Sequence, residues 1–292
     1  MNNMKTAVAL GNFDGLHIGH MAVLHGAQQA RTAGLLPTVL LFSPHPQEVL
    51  TGEAPPELLQ PSARDTLLAE LDLTVRKMDF AAIRELSPEQ FFWEILCGEL
   101  NAAALCCGYN YHFGKGGKGD AKLLEQLCAE NGVSLFTAPQ VDYGGAPVSA
   151  SRIRRCLAQG EVPQANAMLG RAFGYTLPVV SGDRRGLLLG WPTINQIFPP
   201  GFILPRLGVY VSEVTVEGAH RVGVTNIGSR PTFGGTQPRS ETCILNYSGD
   251  LYGQEIRTEL RQFLRPECKF ANEEELKACI AQDALAAVAF QL

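Results

Sequence analysis

Ala9-Leu10-Gly11-Asn12-Phe13-Asp14-Gly15-Leu16-His17-Ile18-Gly19-His20 decides the fold of the first half of this chain. It continues an apolar run from Ala7 that reads as a short buried strand. Gly11, Asp14 and Gly15 break the run, and a helical pattern follows over residues 18–33. A strand, a Gly-rich turn and a helix start make a place where an anion sits on free backbone N–H groups. His17 and His20 fall where that helix begins and can add donors to the same anion.

Working outward, residues 1–140 alternate between apolar runs and helical stretches. Strands are expected at 6–10, 38–42, 73–78, 103–107 and 134–137, and helices at 18–33, 63–71, 88–96 and 121–131. Ser87 is a natural N-cap with Pro88 in the first helical position. Such βαβα alternation implies a parallel sheet with helices on both faces. Ligands of these sheets bind beyond the C-terminal strand ends, where the opening stretch lies. Short helices follow at 151–158 and 163–169, the second closed by Gly170. Beyond residue 174 glycine and proline become dense between β-type runs at 175–180, 209–216, 221–227, 242–247 and 256–263. That texture indicates an antiparallel sheet or barrel. A last helix starts at Glu273, where Asn272 and Glu275 form a capping-box pattern and Leu276 and Ile280 share a face. No internal repeat or low-complexity linker separates the halves.

The 292 residues suffice for two domains with their own cores. A net charge of −5 argues against a general nucleic-acid binder, although Arg152, Arg154 and Arg155 suit a small anion. The eight cysteines include no C-x-x-C pair, so neither a zinc site nor a redox motif is written. There is no apolar run of membrane-span length and no charged n-region before an apolar segment, so a cytoplasmic protein with reduced thiols is expected.

H-x-G-H alone is open to three readings: a phosphate site, a metal pair, or surface histidines of a capped helix. Its company narrows them. Phe42-Ser43-Pro44-His45-Pro46 ends the second strand, Gly108-Tyr109-Asn110-Tyr111-His112-Phe113-Gly114 the fourth, and Val148-Ser149-Ala150-Ser151-Arg152-Ile153-Arg154 opens a helix after the fifth. Together these resemble the adenylyltransferase module of the bacterial bifunctional riboflavin kinase/FAD synthetases, a member of the HxGH nucleotidyltransferases. The resemblance implies a Rossmann-like domain in which the FMN phosphate attacks the α-phosphorus of ATP and pyrophosphate leaves. It implies ATP on Gly11, Phe13, Asp14, Asn110, Ser149 and Ser151, with His17, His20 and Arg154 as catalytic residues. A phosphomonoester with a second pKa near ~6 is mostly dianionic at neutral pH, so this step needs no general base. It needs alignment of two anions and stabilisation of growing charge. One departure is Ala150, where the family usually has a serine. Gly114-Lys115-Gly116-Gly117-Lys118-Gly119 fits G-x-G-x-x-G but does not follow a strand directly. It reads as a mobile loop over phosphates or as a solvated Gly/Lys loop.

A second set follows. Gly182-Asp183-Arg184-Arg185-Gly186 can let backbone approach phosphates or simply turn a barrel, and Pro192-Thr193-Ile194-Asn195 would by itself be a turn. The latter resembles the P-T-A-N signature of riboflavin kinases, which implies that Thr193 and Asn195 serve Mg²⁺ and ATP phosphates, with Gly182 and Gly186 also on ATP. Magnesium takes oxygen ligands and keeps waters, which suits such a pair. Segments 226–233, 249–253 and 264–270 also match the family. Glu241 matches its carboxylate base, which accepts the proton of the ribityl hydroxyl. Departures are Leu187 for an arginine, Asn246 for an aspartate, Trp191 for a phenylalanine and Ile194 for an alanine.

The expectation is therefore an α/β chain: residues 1–168 an FMN adenylyltransferase domain with a parallel sheet, residues 169–292 an antiparallel β-barrel riboflavin kinase. Its small-molecule partners are riboflavin, FMN and ATP, with Mg²⁺; nucleic acid and membrane are not expected, and the oligomeric state stays open. The alternatives are an enzyme with one silent module and a non-catalytic flavin- or nucleotide-binding regulator.

Overall fold

β1 (Thr6–Leu10) is buried along its whole length in the computed structural model, which describes residues 4–182, 186, 190–232 and 235–290. Residues 183–185, Leu187 and Phe233 of the sequence motifs lie outside the described residues. Val8 and Leu10 face one apolar cluster and Ala9 another, as a strand covered on both sides requires. β2 (Leu36–Phe42), β3 (Thr74–Met78), β4 (Ala102–Gly108), the hairpin β5 (His112–Phe113) and β6 (Gly119–Asp120), and β7 (Ser134–Ala138) follow. A small hairpin, β8 (Asp142–Tyr143) with β9 (Ala146–Pro147), ends this half. The five long strands form a parallel sheet in the order β3-β2-β1-β4-β7.

The helices are α1 (Ile18–Gln29), α2 (Pro46–Thr51), α3 (Pro61–Glu70), α4 (Phe80–Ile83), α5 (Pro88–Gln90) and α6 (Ala121–Asn131). α1 and α3 cover one face through Val23, Leu24, Ala27 and Leu68. The other is covered by α6 and by a π-helical stretch, Phe91–Glu99, that prolongs α5 and buries Phe91, Phe92 and Leu96. Ser87 caps α5 in a capping box with Gln90. The chain runs outward to β2 and β3 on one side and to β4 and β7 on the other. The order therefore reverses between β1 and β4, and the crevice at their C-terminal ends is where such sheets bind ligands.

The chain falls into two compact units, Met1–Ala150 and Ser151–Leu292. The second opens with α7 (Ala150–Gln159) and α8 (Val162–Leu169), followed by β10 (Phe173–Pro178), β11 (Thr193–Ile197), β12 (Gly208–Val216), β13 (Ala219–Thr232), β14 (Gly235–Ile244) and β15 (Glu255–Arg265). These strands form one antiparallel sheet, β10-β15-β12-β13-β14-β11. α8 packs on β10 and β15, fastened by Asn166, which donates to Leu260 O at 2.9 Å and accepts from Phe173 N at 2.7 Å.

The sheet curls until its edge strands meet, where Val180 N donates to Asn195 O at 2.8 Å. Gln196 reinforces the seam from inside. Its fully buried amide donates to Leu177 O (2.8 Å) and Ile256 O (2.7 Å) and accepts from Thr258 Oγ1 (2.9 Å). Gln196→Leu strands these three groups and is expected to lower the stability of this unit by about 2–3 kcal/mol. Urea unfolding measures it, and an unshifted midpoint would show that the seam does not depend on the amide. β11, read from the sequence as a turn, is thus a strand, and β14 ends at Ile244 rather than running to residue 247.

α9 (Glu273–Ala289), capped by Asn272 accepting from Glu275 N at 2.9 Å, lies on the outer face of the sheet. Its Ala284 and Ala287 pack with Val209, Val211 and Val224.

Candidate active sites

The first centre is built by the turn between β1 and α1. Phe13 (φ 50°), Gly15 (φ 73°) and Leu16 (φ 42°) take left-handed conformations that pull successive N–H groups to one side. Phe13 and Leu16 are held in this strained form by burial at 0% and 2% exposure. Asp14 Oδ1 accepts from Leu58 N at 3.0 Å and ties the turn to a neighbouring loop. Glu57 stands beside it; burial raises its carboxyl, Arg64 opposes this, and the charge of Asp14 adds to the rise.

His17 caps α1, its Nδ1 accepting from His20 N at 3.2 Å. An accepting Nδ1 leaves Nε2 to carry the proton of the neutral ring and act as donor. The two imidazoles stack with centroids 3.6 Å apart. Gly19 makes this possible, because a Cβ there would lie 3.2 Å from the His17 ring. Gly11 follows β1, and across the sheet Leu10 pairs with Cys107 just before Gly108. Asn110 leaves that neighbouring strand end, its Oδ1 3.3 Å from the place of a Cβ on Gly108. The glycine, the histidines and Asn110 therefore all sit at the switch point.

Ser149 precedes α7; Ser151 lies in its first turn, with Arg154 further along the helix. Residues 114–119 form the tip of the β5–β6 hairpin, with Lys115 Nζ 2.7 Å from Glu85 Oε2. Gly114 approaches α5 so closely that a Cβ would lie 2.6 Å from Pro88 N.

The second centre lies along β11, where one cavity is also lined by the inner residues Ile194, Thr242 and Ile244 and the other opens on the outer face. Thr193 and Asn195 alternate with Ile194 and Gln196, so the first pair shares the outer face and the second points inward. Asn195 is 7% exposed, and a Cβ on Gly182 would fall 2.5 Å from its Nδ2, so this glycine forms part of a cradle around the amide. Gly186 O accepts from Trp191 N at 2.8 Å and shapes the turn before β11. In the ladder Asn195 stands opposite Glu241, and Glu241 opposite Asn226, a polar row across β11, β14 and β13.

Two cavities meet at Thr193. One of about 450 Å³ is lined by Thr193, Asn195, Asp250 and Tyr252. The other, about 310 Å³, holds Thr193, Glu241, Asn226 and Glu267 against Leu276 and Ile280 of α9. Asp250 Oδ1 accepts from Tyr252 N at 3.0 Å, and Asn226 Nδ2 donates to Glu267 Oε1 at 3.5 Å. Among the described residues no cluster of three or more His, Cys, Asp or Glu could hold a metal.

Residues 1–152 match the FAD synthetase family model and residues 169–291 the riboflavin kinase model. The bifunctional riboflavin kinase/FMN adenylyltransferase of Escherichia coli (strain K12) is 36% identical over 97% of this chain and 92% of its own length. This chain belongs to that family. It therefore carries riboflavin kinase and FMN adenylyltransferase activities. The Bacillus subtilis (strain 168) member is 32% identical over 98% of this chain and 92% of its own. A solved structure described as a macrolide-efflux protein from Streptococcus pneumoniae superposes with a TM-score of 0.91, at 26% identity, over 99% of this chain and 95% of that one. Among the described residues no helix is long and apolar enough to cross a membrane.

Against the family pattern the departures fall unevenly. Asn246 (φ 55°) occupies the turn after β14, a left-handed position that asparagine tolerates, and lines neither of the two cavities above. Ile194 is packed beside the inner barrel cluster, Ala150 opens α7, and Trp191 lines the Glu241 cavity. Asp250 and the Arg265–Asp283 pair in the lining of the Glu241 cavity are not singled out by spacing. The G-D-L-Y-G segment carried the signal for Asp250; nothing local carried one for Asp283.

Proposed function

We propose that the two reactions run at separate centres, one in each motif set. For the kinase, ATP occupies the Thr193–Asn195–Asp250 cavity and riboflavin the Glu241 cavity. The observation that carries this reading is Thr193 lining both cavities while Asn195 faces Glu241 one strand away. Directly opposed residues of antiparallel strands have Cβ atoms about 5 Å apart, a spacing that supports reading donor and acceptor side by side. Glu241 takes the proton of the ribityl hydroxyl as its oxygen bonds to the γ-phosphorus and ADP leaves. Thr193 Oγ1 and the Asn195 amide oxygen, in a cradle bounded by Gly182, are hard neutral donors that fit Mg²⁺ together with phosphate. When bound, the ion neutralises charge on the transferring phosphoryl group.

For the adenylyltransferase, Gly11, the backbone of Phe13 and Asp14, and the N-terminus of α1 receive ATP phosphates. His17 and His20 meet the charge that grows as the FMN oxygen bonds to the α-phosphorus. Asn110 serves the nucleotide, and Ser149, Ser151 and Arg154 hold the leaving pyrophosphate. The functional boundary is placed at 168/169. It is supported by the second family model starting at 169, although α7 and α8 pack with the barrel unit. Eight free cysteines and a net charge of −5 support a cytoplasmic protein that binds small molecules rather than nucleic acid.

Incubation with riboflavin, ATP and Mg²⁺, followed by separation of FMN from FAD, tests the whole reading. FMN without FAD means a silent first centre, and FAD only when FMN is supplied means a silent second one. His20→Ala should lower FMN adenylylation about 10²-fold, the cost of one donor at a developing charge, and leave riboflavin phosphorylation unchanged. Equal loss of both activities in a folded variant contradicts separate centres.

A further inference from the structure

Arg265, at the end of β15, grips α9 through Asp283, with Nε 3.1 Å from Oδ1 and Nη2 2.8 Å from Oδ2. Its other arm, Nη1, donates to Cys268 Sγ at 3.1 Å. Cys279 lies one turn before Asp283 on the same face of α9, which brings its thiol toward the guanidinium that also holds Cys268. Two thiols from different segments thus meet beside one guanidinium, and neither proposed reaction uses them. Cys268 is the exposed member of the eight cysteines. Burial pushes the thiols of Cys106 and Cys128 up to about 12 and that of Cys243 to about 11; burial also raises the Cys279 thiol, with the Arg265 guanidinium opposing it. The neighbouring cation disfavours a metal at the sulfur pair. It suits a step in which charge builds on sulfur.

We propose that Cys268 and Cys279 are a peroxide-sensitive pair whose disulfide clamps the wall of the Glu241 cavity. The Cys268 thiolate attacks one oxygen of hydrogen peroxide, the O–O bond breaks, and a sulfenic acid and hydroxide result. The Cys279 thiol then attacks that sulfur as its proton passes to the leaving oxygen, the S–S bond forms and a water leaves. With the two thiol protons the balance is two thiols oxidised, one peroxide reduced and two waters formed. The clamp rests on the reading of this cavity as the riboflavin site. Glu267, Cys268 and Phe270 line this cavity from the segment after β15, and Leu276 and Ile280, which bracket Cys279 in the sequence, line it from α9. The bond would tie these two lining segments together.

The full-length protein is treated with hydrogen peroxide, its remaining thiols are blocked, and it is digested with trypsin without reductant. Lys269 and Lys277 lie between the two cysteines, so their peptides separate unless the sulfurs are bonded. We expect a linked pair two hydrogens lighter than the sum, a several-fold loss of riboflavin kinase restored by dithiothreitol, and unchanged FMN adenylylation. Cys279→Ser should keep the untreated kinase rate and lose the peroxide response. Oxidised Cys268 without the linkage overturns the pair, and linkage with an unchanged kinase rate overturns the clamp. A Glu267→Ala variant with unaltered riboflavin affinity, read by flavin fluorescence, instead rejects the cavity assignment, and the clamp with it, but leaves the linkage standing.

Discussion

Glu241→Gln is expected to lower FMN formation from riboflavin by about 10²–10⁴-fold, the range for losing a positioned general base. A primary hydroxyl is a weak nucleophile, and its proton must leave as the bond to phosphorus forms. Glutamine keeps the size of the side chain and its hydrogen-bonding reach but cannot take that proton. Glu241 lies on β14 between Asn195 and Asn226, so the substitution leaves the ladder intact and the barrel should stay folded. FMN adenylylation in the same variant should be unchanged, because its motifs lie outside the barrel sheet. Separating riboflavin, FMN and FAD by chromatography reads both steps from one reaction. If the variant phosphorylates riboflavin at the wild-type rate, the base lies elsewhere, and Glu267, on the wall of the same cavity, is the next to test. Loss of adenylylation as well would mean that the two chemistries share a centre.

The first half was legible because its signals are local. The run into Leu10 reads as a short buried strand, and the turn residues Gly11 and Gly15 announce the helix start at Ile18. Every expected strand of the parallel sheet forms. The two histidines and Asn110 reach one crevice because strand order, not proximity in sequence, brings β1 beside β4. The barrel hid more. Its interior mixes valine and isoleucine with fully buried Thr225, Thr242, Thr258 and Gln196, so the alternation that marks a half-buried strand is blurred. Thr225 Oγ1 donates to Ser212 Oγ at 2.7 Å and lies 2.8 Å from Thr242 Oγ1, contacts that no single segment reveals. β11 was lost for this reason, since its inward residues are Ile194 and a glutamine. The row Asn195–Glu241–Asn226 needs three strands paired in register, and the sequence carries only its members. The π-helical stretch Phe91–Glu99 kept the apolar spacing of an α-helix and differed only in its hydrogen bonds.

Arg265→Ala should be the most destabilising single change at the second centre, costing the barrel unit about 3 kcal/mol, at the lower end for breaking a buried ion pair. Asp283 is 7% exposed, and its carboxylate receives both Nε and Nη2 of Arg265. Removing the guanidinium leaves that charge buried on α9 with its main counter-charge gone. The side chain of Arg265 is 23% exposed, so water recovers part of the loss, which is why the upper end is not expected. For a unit of this size the cost corresponds to a fall in melting temperature of about 10 °C. A shift of only a degree or two would show that α9 is held by its apolar contacts alone. Below that transition, riboflavin affinity should weaken more than FMN adenylylation, because the helix that loosens carries Leu276 and Ile280 of the Glu241 cavity. Arg265→Lys should recover little, since an ammonium cannot grip both carboxylate oxygens in a planar fork. The double change Arg265→Met with Asp283→Leu separates charge from shape. Unpaired burial of a carboxylate is what costs, so the apolar pair should regain most of the stability. Riboflavin binding in that variant then reports what the ion pair does beyond holding the helix. If binding returns with stability, the pair is a structural clasp; if it does not, the guanidinium also orients the 266–270 wall that carries Glu267.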